Sequence, residues 1–196
     1  MKIKKIILII FFYFLTLSNS FALEADVFIQ STVNRASKIL SENLSKDEKI
    51  NKLKIIAEET VDIKGIGFYT LGSIRKSLDE NQKEKYSKLF REYFLKSFSS
   101  RLSEYTNPEI DVLSKEVLSD NYTIVNSKLL ATSSRPEITI DWRVYTKDLT
   151  KPVIRDLIIE GLSLARTQRE EFNSIIMNNG GELKALFSNL KKFNNN

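Results

Sequence analysis

The chain has 196 residues, contains neither histidine nor cysteine, and carries a formal net charge of +5. Without cysteine it makes no disulfide and no thiolate metal site, and without histidine a metal site would have only carboxylates to use. Three lysines lie among the first five residues, and without them 27 basic residues face 25 acidic ones, a charge of about +2 that argues against a nucleic-acid binder.

The N-terminus has the pattern of an export signal. An uncharged apolar run from Ile6 to Leu17 follows the lysines, and Ser20-Phe21-Ala22 satisfies the small-x-small rule of a signal-peptidase site. The run is shorter than the ~20 residues that a helix needs to cross a bilayer, although its phenylalanines leave an uncleaved anchor as the alternative. The sequence predicts a cleaved signal over residues 1–22, one domain over residues 23–193 and a disordered tail over residues 194–196.

The residues after the signal carry helical periodicity. Apolar residues from Ile29 to Leu44 recur at steps of three and four, which predicts a first helix. Ser45 with Glu48 is a capping box that opens a second helix, and Asp62 is the predicted cap of a short third one. The longest helix begins after Asp79. One of its faces carries a stripe rich in aromatic side chains, made of Tyr86, Leu89, Phe90, Tyr93, Phe94, Ser97, Phe98 and Leu102.

After Pro108 the apolar period changes to two, which is typical of strands. The clearest strand has Ile138, Ile140, Trp142 and Val144 on one face. Further strands are predicted near residues 109–117, 122–131 and 153–159, and two closing helices over residues 163–178 and 182–192. This order is that of an α+β domain. We therefore expect N-terminal helices packed on a mostly antiparallel sheet of about four strands, followed by C-terminal helices.

The segment Gly161-Leu162-Ser163-Leu164-Ala165 imitates the nucleophile elbow of serine hydrolases. The chain has no imidazole to take the hydroxyl proton, and Ala165 stands where the elbow needs glycine. Ser163 is therefore interpreted as the cap of the helix that follows. No catalytic residue and no metal site are predicted, because the sequence has no calcium loop and no paired-carboxylate spacing.

Asp156 is an acidic residue inside a predicted strand. A period of two puts it on the same face as Ile154 and Ile158, so its carboxylate is expected on the covered side of the sheet. A buried carboxylate needs a cation or hydrogen-bond donors. A structural ion pair is favoured over a catalytic base, because no partner acid is identifiable. The candidate partners are Arg143, Arg166 and Arg169.

Four segments carry the residues that identify a family pattern. The most informative runs from Val153 to Phe172, with Asp156, Glu160, Gly161, Ser163, Arg169 and Phe172. The others are Asp62-Ile63 with Gly67, Leu71 and Gly72; Gln82 with Tyr86 and Phe90; and the strand Ile140-Asp141-Trp142-Arg143-Val144. At these residues the chain resembles the MlaC family of periplasmic phospholipid carriers. One departure is Lys151-Pro152, which stands where the family usually has a tryptophan entering the last strand.

The resemblance implies an exported periplasmic carrier with an internal hydrophobic cavity, and not an enzyme. Its cargo would be a diacyl phospholipid, with no other cofactor. Its partners would be the inner-membrane ABC transporter complex and the outer-membrane lipoprotein complex of the Mla system, which maintains outer-membrane lipid asymmetry. The family also includes auxiliary components of toluene tolerance. The lipid-binding residues expected on this basis are Phe68, Tyr69, Leu71, Phe90, Tyr93, Phe94, Phe98, Trp142, Val144, Ile158, Leu162 and Leu164.

Two other hypotheses about the function remain open from the sequence. One is an enzyme on a similar cone-shaped α+β scaffold, with Asp156 or Asp141 as an acid–base group. The other is a solid-cored adaptor that docks through surface charge, for which the candidates are Lys83, Lys88 and Arg91. On general grounds an aromatic stripe is core rather than ligand lining, which favours the adaptor. The family resemblance favours the opposite interpretation of the same stripe.

Overall fold

The computed structural model describes residues 23–196, so the predicted export signal over residues 1–22 lies outside the described residues. Within this range six α-helices and one short 3₁₀-helix accompany a five-stranded sheet. The α-helices are α1 (Ala25–Ser41), α2 (Lys46–Thr60), α3 (Ile63–Thr70), α4 (Glu80–Leu102), α5 (Leu164–Met177) and α6 (Leu183–Asn195), with the 3₁₀-helix at Gly72–Lys76. The strands are β1 (Ile110–Ser119), β2 (Tyr122–Leu129), β3 (Ile138–Tyr145), β4 (Val153–Ile159) and β5 (Leu162–Ser163).

Side-chain caps begin the helices where the sequence predicts them. The Ser45 hydroxyl accepts from the Glu48 amide, and the Glu48 carboxylate accepts from the Ser45 amide, which completes a capping box at α2. Asp79 and Gln82 make the same pair of hydrogen bonds at α4. Because each cap satisfies amide groups that the first helical turn leaves without a carbonyl, these residues set where the helices begin.

All neighbouring strands of the sheet are antiparallel, in the order β1-β2-β3-β4-β5. The α+β prediction is confirmed, but the sheet has five strands rather than about four. The additional strand forms because Glu160 and Gly161 adopt φ values of 49° and 78°, which turn the chain back so that Leu162 and Ser163 pair with β4. Pro152 directly precedes β4, a position at which no ladder hydrogen bond is needed from it.

A bulge in β4 changes which side chains share a face. Arg143 pairs with Asp156, whereas the next residue of β3, Val144, pairs with Ile154. Arg155 is thus the extra residue of β4, and it breaks the period of two. The expectation that Asp156 lies on the same face as Ile154 is therefore wrong. Asp156 lies on the same face of the sheet as its pairing partner Arg143. Val144 and Ile154 lie on the opposite face.

Most of the buried apolar residues form two clusters. The helical cluster contains Ala57, Ile63, Ile66, Leu71, Leu78, Tyr86, Phe90, Leu95, Ala165, Phe172, Ile176, Leu186 and Leu190. The sheet cluster contains Ala25, Phe28, Ile29, Val33, Val125, Leu129, Ile140, Trp142, Val144 and Ile154. Val61 packs against both clusters and forms a parallel bridge with Ile154. The end of α2 thus joins the two halves of the core at the edge of β4.

Helix α3 lies very close to α4. A Cβ atom at Gly67 would stand 2.7 Å from the Phe90 ring, so only glycine allows this approach. At the C-terminus, α6 continues to Asn195, and the Asn194 side-chain amide donates to the Leu89 carbonyl. The tail is thus helical through Asn195, which differs from the disorder expected from residue 194 onward. Over residues 23–196, no helix combines the length and the hydrophobicity needed to cross a bilayer.

Candidate ligand-binding cavity

The space between the two clusters and along β4 contains three neighbouring cavities. We name them the arginine compartment (about 570 Å³), the aromatic compartment (about 240 Å³) and the apolar compartment (about 140 Å³). Ile66, Asp156 and Ala165 line both the arginine and the aromatic compartments. The aromatic and apolar compartments share Val61, Phe98, Trp142, Ile154 and Leu157. The three cavities therefore follow one another through the molecule.

The aromatic compartment lies between α4 and the sheet. Its helical wall consists of Phe90, Tyr93, Phe94 and Phe98, and its sheet wall consists of Trp142, Ile154 and Leu157. The Trp142 indole N–H donates to the Ser127 hydroxyl at 2.8 Å, which leaves the ring without an unsatisfied donor. This hydrogen bond fixes the aromatic face that the sheet presents to the cavity.

Tyr93 is a half-buried polar group of the α4 wall, which also includes Ser97 and Arg101. Its hydroxyl donates to the Gln168 side-chain carbonyl at 2.8 Å. Burial and the nearby Glu171 carboxylate raise the pKa of Tyr93 above its ordinary value, although the bond to Gln168 opposes the shift. The phenol is therefore neutral at physiological pH, and the wall carries no charge at this point.

The apolar compartment extends from Trp142 toward α1 and α2. Val33, Leu40 and Leu53 supply its far wall. Thr32 and Thr60 also line it, but their hydroxyls donate to the carbonyls of Phe28 and Ile56 within their own helices. Because these donors are satisfied, the compartment offers a ligand mainly hydrocarbon.

The arginine compartment opens between α3 and the turn that joins β1 to β2. Arg75, Arg143 and Arg155 line it together with Tyr69 and Tyr122. The Arg155 guanidinium donates to Asp62 at 2.7 Å and to the Tyr122 hydroxyl at 2.8 Å. Although burial opposes the charge, these bonds raise the pKa of Arg155 above its ordinary value. Arg155 is thereby held as a fixed cation.

The Asp156 carboxylate is 4% exposed and already has donors. One oxygen accepts from the Ser163 hydroxyl at 2.6 Å and the other from the Ala165 amide at 3.0 Å. The Ser163 hydroxyl in turn accepts from the Arg166 amide, so both residues cap α5. Of the three candidate arginines, Arg143 is the one paired with Asp156, with the two charged groups 3.7 Å apart. The arrangement is structural, as the sequence favours.

The chain matches the family described as MlaC protein over residues 30–192, which is most of its length. The chain belongs to the MlaC family. Seven solved chains also match this one. Among them is the phospholipid-binding protein from Ralstonia solanacearum, solved in complex with a phospholipid, which has 16% sequence identity and a TM-score of 0.73. The match covers 87% of this chain and 97% of the other. No curated protein sequence matches it.

The MlaC fold brings most of the predicted lipid-binding residues to the three compartments. Those that line them are Phe68, Tyr69, Phe90, Tyr93, Phe94, Phe98, Trp142 and Leu164. The remaining four lie elsewhere. Leu71 and Val144 are packed inside the helical and sheet clusters, at 3% and 0% exposure. Ile158 lies on the face opposite Trp142 because of the register of β4, and Leu162 is exposed beside the β4–β5 turn.

Other lining residues of this MlaC-family chain were not predicted from the sequence. Val61 and Leu157 close the boundary between the aromatic and apolar compartments. Arg75 and Arg155 line the polar end. The apolar alternation of β4 could have indicated Leu157. No sequence pattern indicates that Arg75, in a 3₁₀-helix, and Arg155, at a strand bulge, line the same cavity. Over residues 23–196 there is no cluster of three acidic side chains able to hold a metal ion.

Proposed function

We propose that the protein is a periplasmic phospholipid carrier that moves lipid between the outer-membrane and inner-membrane complexes of the Mla system and so maintains outer-membrane lipid asymmetry. The observation that carries the proposal is the unfilled space between two apolar clusters, with α4 aromatic rings on one side and Trp142 on the other. Membership of the MlaC family supports it. A relative of the same fold that is described as phospholipid-binding supports it further.

The energetics of acyl chains explain why such a carrier needs an enclosed cavity. Moving hydrocarbon out of water stabilises by about 0.8 kcal/mol per CH₂, so two chains of about 16 carbons correspond to roughly 25 kcal/mol. A lipid does not cross an aqueous gap unshielded against that cost. The apolar compartment offers it hydrocarbon walls, and the aromatic compartment offers the rings of α4 and Trp142, with Arg101 and Glu171 also in its lining.

The free energy of lipid exchange with a membrane is much smaller, because the acyl chains then move from one apolar environment to another. The large transfer free energy nearly cancels between bilayer and cavity. Contacts with a partner complex worth a few kcal/mol are then enough to bias loading or unloading. A carrier of this kind therefore needs no chemical step of its own.

The acidic residues of the enzyme hypothesis have structural partners. Asp156 caps α5, and Asp141 accepts from the Asn126 side-chain amide at 2.8 Å. The Ser163 hydroxyl donates to the Asp156 carboxylate, which also caps α5, and the sequence has no imidazole to serve as its base. A solid-cored adaptor is disfavoured by the cavity itself, because the α4 stripe over residues 90–98 faces open space. Both observations favour a binding role.

Native mass spectrometry of the exported protein, purified without detergent, tests the proposal. We expect the mass of the chain from residue 23 onward plus about one diacyl phospholipid, released and identified in a second stage. A denaturing spectrum of the same sample is the control, since it must give the bare chain if the lipid is held without a covalent bond. A native mass equal to the bare chain, unchanged after incubation with phospholipid vesicles, would contradict the carrier function.

A further inference from the structure

The arginine compartment carries positive charge that the protein itself does not neutralise. Of its three arginines, Arg155 is paired with Asp62, which lies outside the lining. Arg143 stands 3.7 Å from Asp156, too far for a hydrogen bond. Arg75 has no hydrogen bond or salt bridge to any other residue between positions 23 and 196. Two guanidinium groups thus retain donors that point to no protein acceptor.

Asp156 also lines the compartment, and Asp62 is paired with Arg155, so the three arginines still leave a net positive charge there. The buried Asp156 carboxylate accepts its hydrogen bonds from Ser163 and Ala165, and none of them comes from Arg143. The Arg143 side chain is 41% exposed, so a ligand that enters the cavity can reach it. Because a guanidinium presents parallel N–H groups in one plane, it matches the oxygens of a phosphate in a two-point contact.

Fixed groups surround these donors. The Arg155 guanidinium stacks 3.7 Å from the centre of the Tyr145 ring and donates to Tyr122, so this wall is rigid. The compartment is also next to the aromatic one, with Ile66 and Ala165 lining both. A molecule with hydrocarbon in the aromatic compartment would therefore have its polar end within reach of the arginines.

We propose that the arginine compartment is a phosphate-binding site, in which Arg75 and Arg143 contact the phosphate oxygens and Arg155 forms the fixed cationic wall. The phosphate is that of a phospholipid head group or a free phosphate ion. The head-group assignment rests on the proposed carrier function, and the experiment below separates the two. The site gives the protein a preference for phosphate-bearing lipids over uncharged lipids with the same chains.

A competition experiment tests the site because it cancels the contribution of the acyl chains. Delipidated protein is incubated with vesicles that contain equal amounts of dipalmitoyl phosphatidylglycerol and dipalmitoylglycerol, and the lipids that it retains are extracted and counted. We expect the wild-type protein to enrich the phospholipid. The double variant Arg75→Gln/Arg143→Gln should lower that enrichment by about tenfold or more, since each charged hydrogen bond is worth at least about one order of magnitude.

Two further variants serve as controls. Arg35→Gln removes the same charge at an exposed residue of α1 that pairs with Glu59 and lines none of the three compartments. It should leave the enrichment unchanged. Arg75→Lys/Arg143→Lys keeps the charge but loses the planar fork, so it should retain part of the preference. If Arg35→Gln lowered the enrichment as much as the double variant, general surface charge would explain it and the site would be overturned.

The other outcomes separate the site from the carrier function. A wild-type protein that retains both lipids in the ratio supplied overturns the phosphate site and leaves the carrier function standing. A protein that retains neither lipid contradicts the carrier function, and calorimetric titration with inorganic phosphate then decides the site. Phosphate binding that the double variant abolishes would support a site for the free ion. No phosphate binding by the wild-type protein would overturn it.

Discussion

The two ends of the aromatic stripe on α4 have different surroundings. At the N-terminal end, Tyr86 is 1% exposed, and its hydroxyl lies 2.7 Å from that of Thr70. Phe68 and Phe187 pack against its ring. At the C-terminal end, Phe94 and Phe98 stack on each other at 5.4 Å between ring centres and face the cavity. One helix face is thus packed core at one end and cavity wall at the other.

The difference between the ends comes from the elements that face them. Helices α3 and α6 approach α4 closely around Tyr86, with Gly67 of α3 against Phe90 and Leu186 and Leu190 of α6 fully buried. At the other end the facing element is the sheet, whose Trp142 and Leu157 stand across the aromatic compartment. An amphipathic pattern therefore identifies the inward face of a helix, and the neighbouring elements determine whether that face meets side chains or empty space.

The largest expected difference is in the free energy of unfolding when an aromatic side chain is truncated at each end of the α4 stripe. Tyr86→Ala should lower the free energy of unfolding by about 3–5 kcal/mol, as for other aromatic residues removed from packed cores. Phe98→Ala should cost only about 1–2 kcal/mol, because part of its surface already faces the cavity. Urea unfolding of the delipidated proteins measures both values. Equal losses would show that the two ends are packed alike.

A larger side chain at the cavity end of the α4 stripe tests the same comparison by filling space instead of creating it. Phe94→Trp should reduce the amount of lipid retained per chain while changing the free energy of unfolding by less than about 1 kcal/mol. In a packed core the added volume would cost about 1–3 kcal/mol instead. Phe28→Trp is the matched control, since Phe28 is buried in the sheet cluster away from the three compartments. It should destabilise the protein and leave lipid retention unchanged.

The smallest predicted effect concerns the Tyr86 hydroxyl. Burial raises the pKa of Tyr86 above its ordinary value, even though the bond to Thr70 opposes the shift. The unfolded chain loses this proton near pH 10, while the folded chain keeps it to higher pH. The contribution of the neutral phenol to the free energy of unfolding is therefore complete below pH 10 and declines above it. Tyr86→Phe should cost about 1 kcal/mol at neutral pH, from the lost hydrogen bond.

Urea titrations from neutral pH to about pH 11 test this prediction. The free energies of unfolding of the wild-type protein and Tyr86→Phe should converge as the pH rises above 10. Other tyrosines and lysines titrate in both proteins and cancel in the difference. Curves that stay parallel over the whole range would show that the buried phenol is not linked to folding.

The sequence predicted features that depend on residues close together in the chain. Ser45 with Glu48 and Asp79 with Gln82 cap the helices as expected, because a capping box involves only residues three positions apart. The alternation around Trp142 predicted β3, because the period of two is a local property of a strand. The aromatic wall of the cavity followed from the periodicity of α4 together with the family resemblance.

Features that depend on distant residues were not predictable in this way. The bulge at Arg155 is defined by the pairing of β4 with β3, and it reversed the expected face of Asp156. Leu71 and Val144 are apolar, as the residues of a cavity wall would be, but other elements pack directly on them. The arginine compartment collects side chains from a 3₁₀-helix, β3 and β4, and only the tertiary fold brings these together.

The order of the two clusters along the chain has a consequence for folding. The first helix, α1, belongs to the sheet cluster, whereas the last two, α5 and α6, complete the helical cluster. Each cluster therefore joins residues far apart in the chain, and closing such long loops costs conformational entropy before any contact is gained. We expect slow folding that finishes only when α6 is available, so removal of the last helix should prevent the helical cluster from closing.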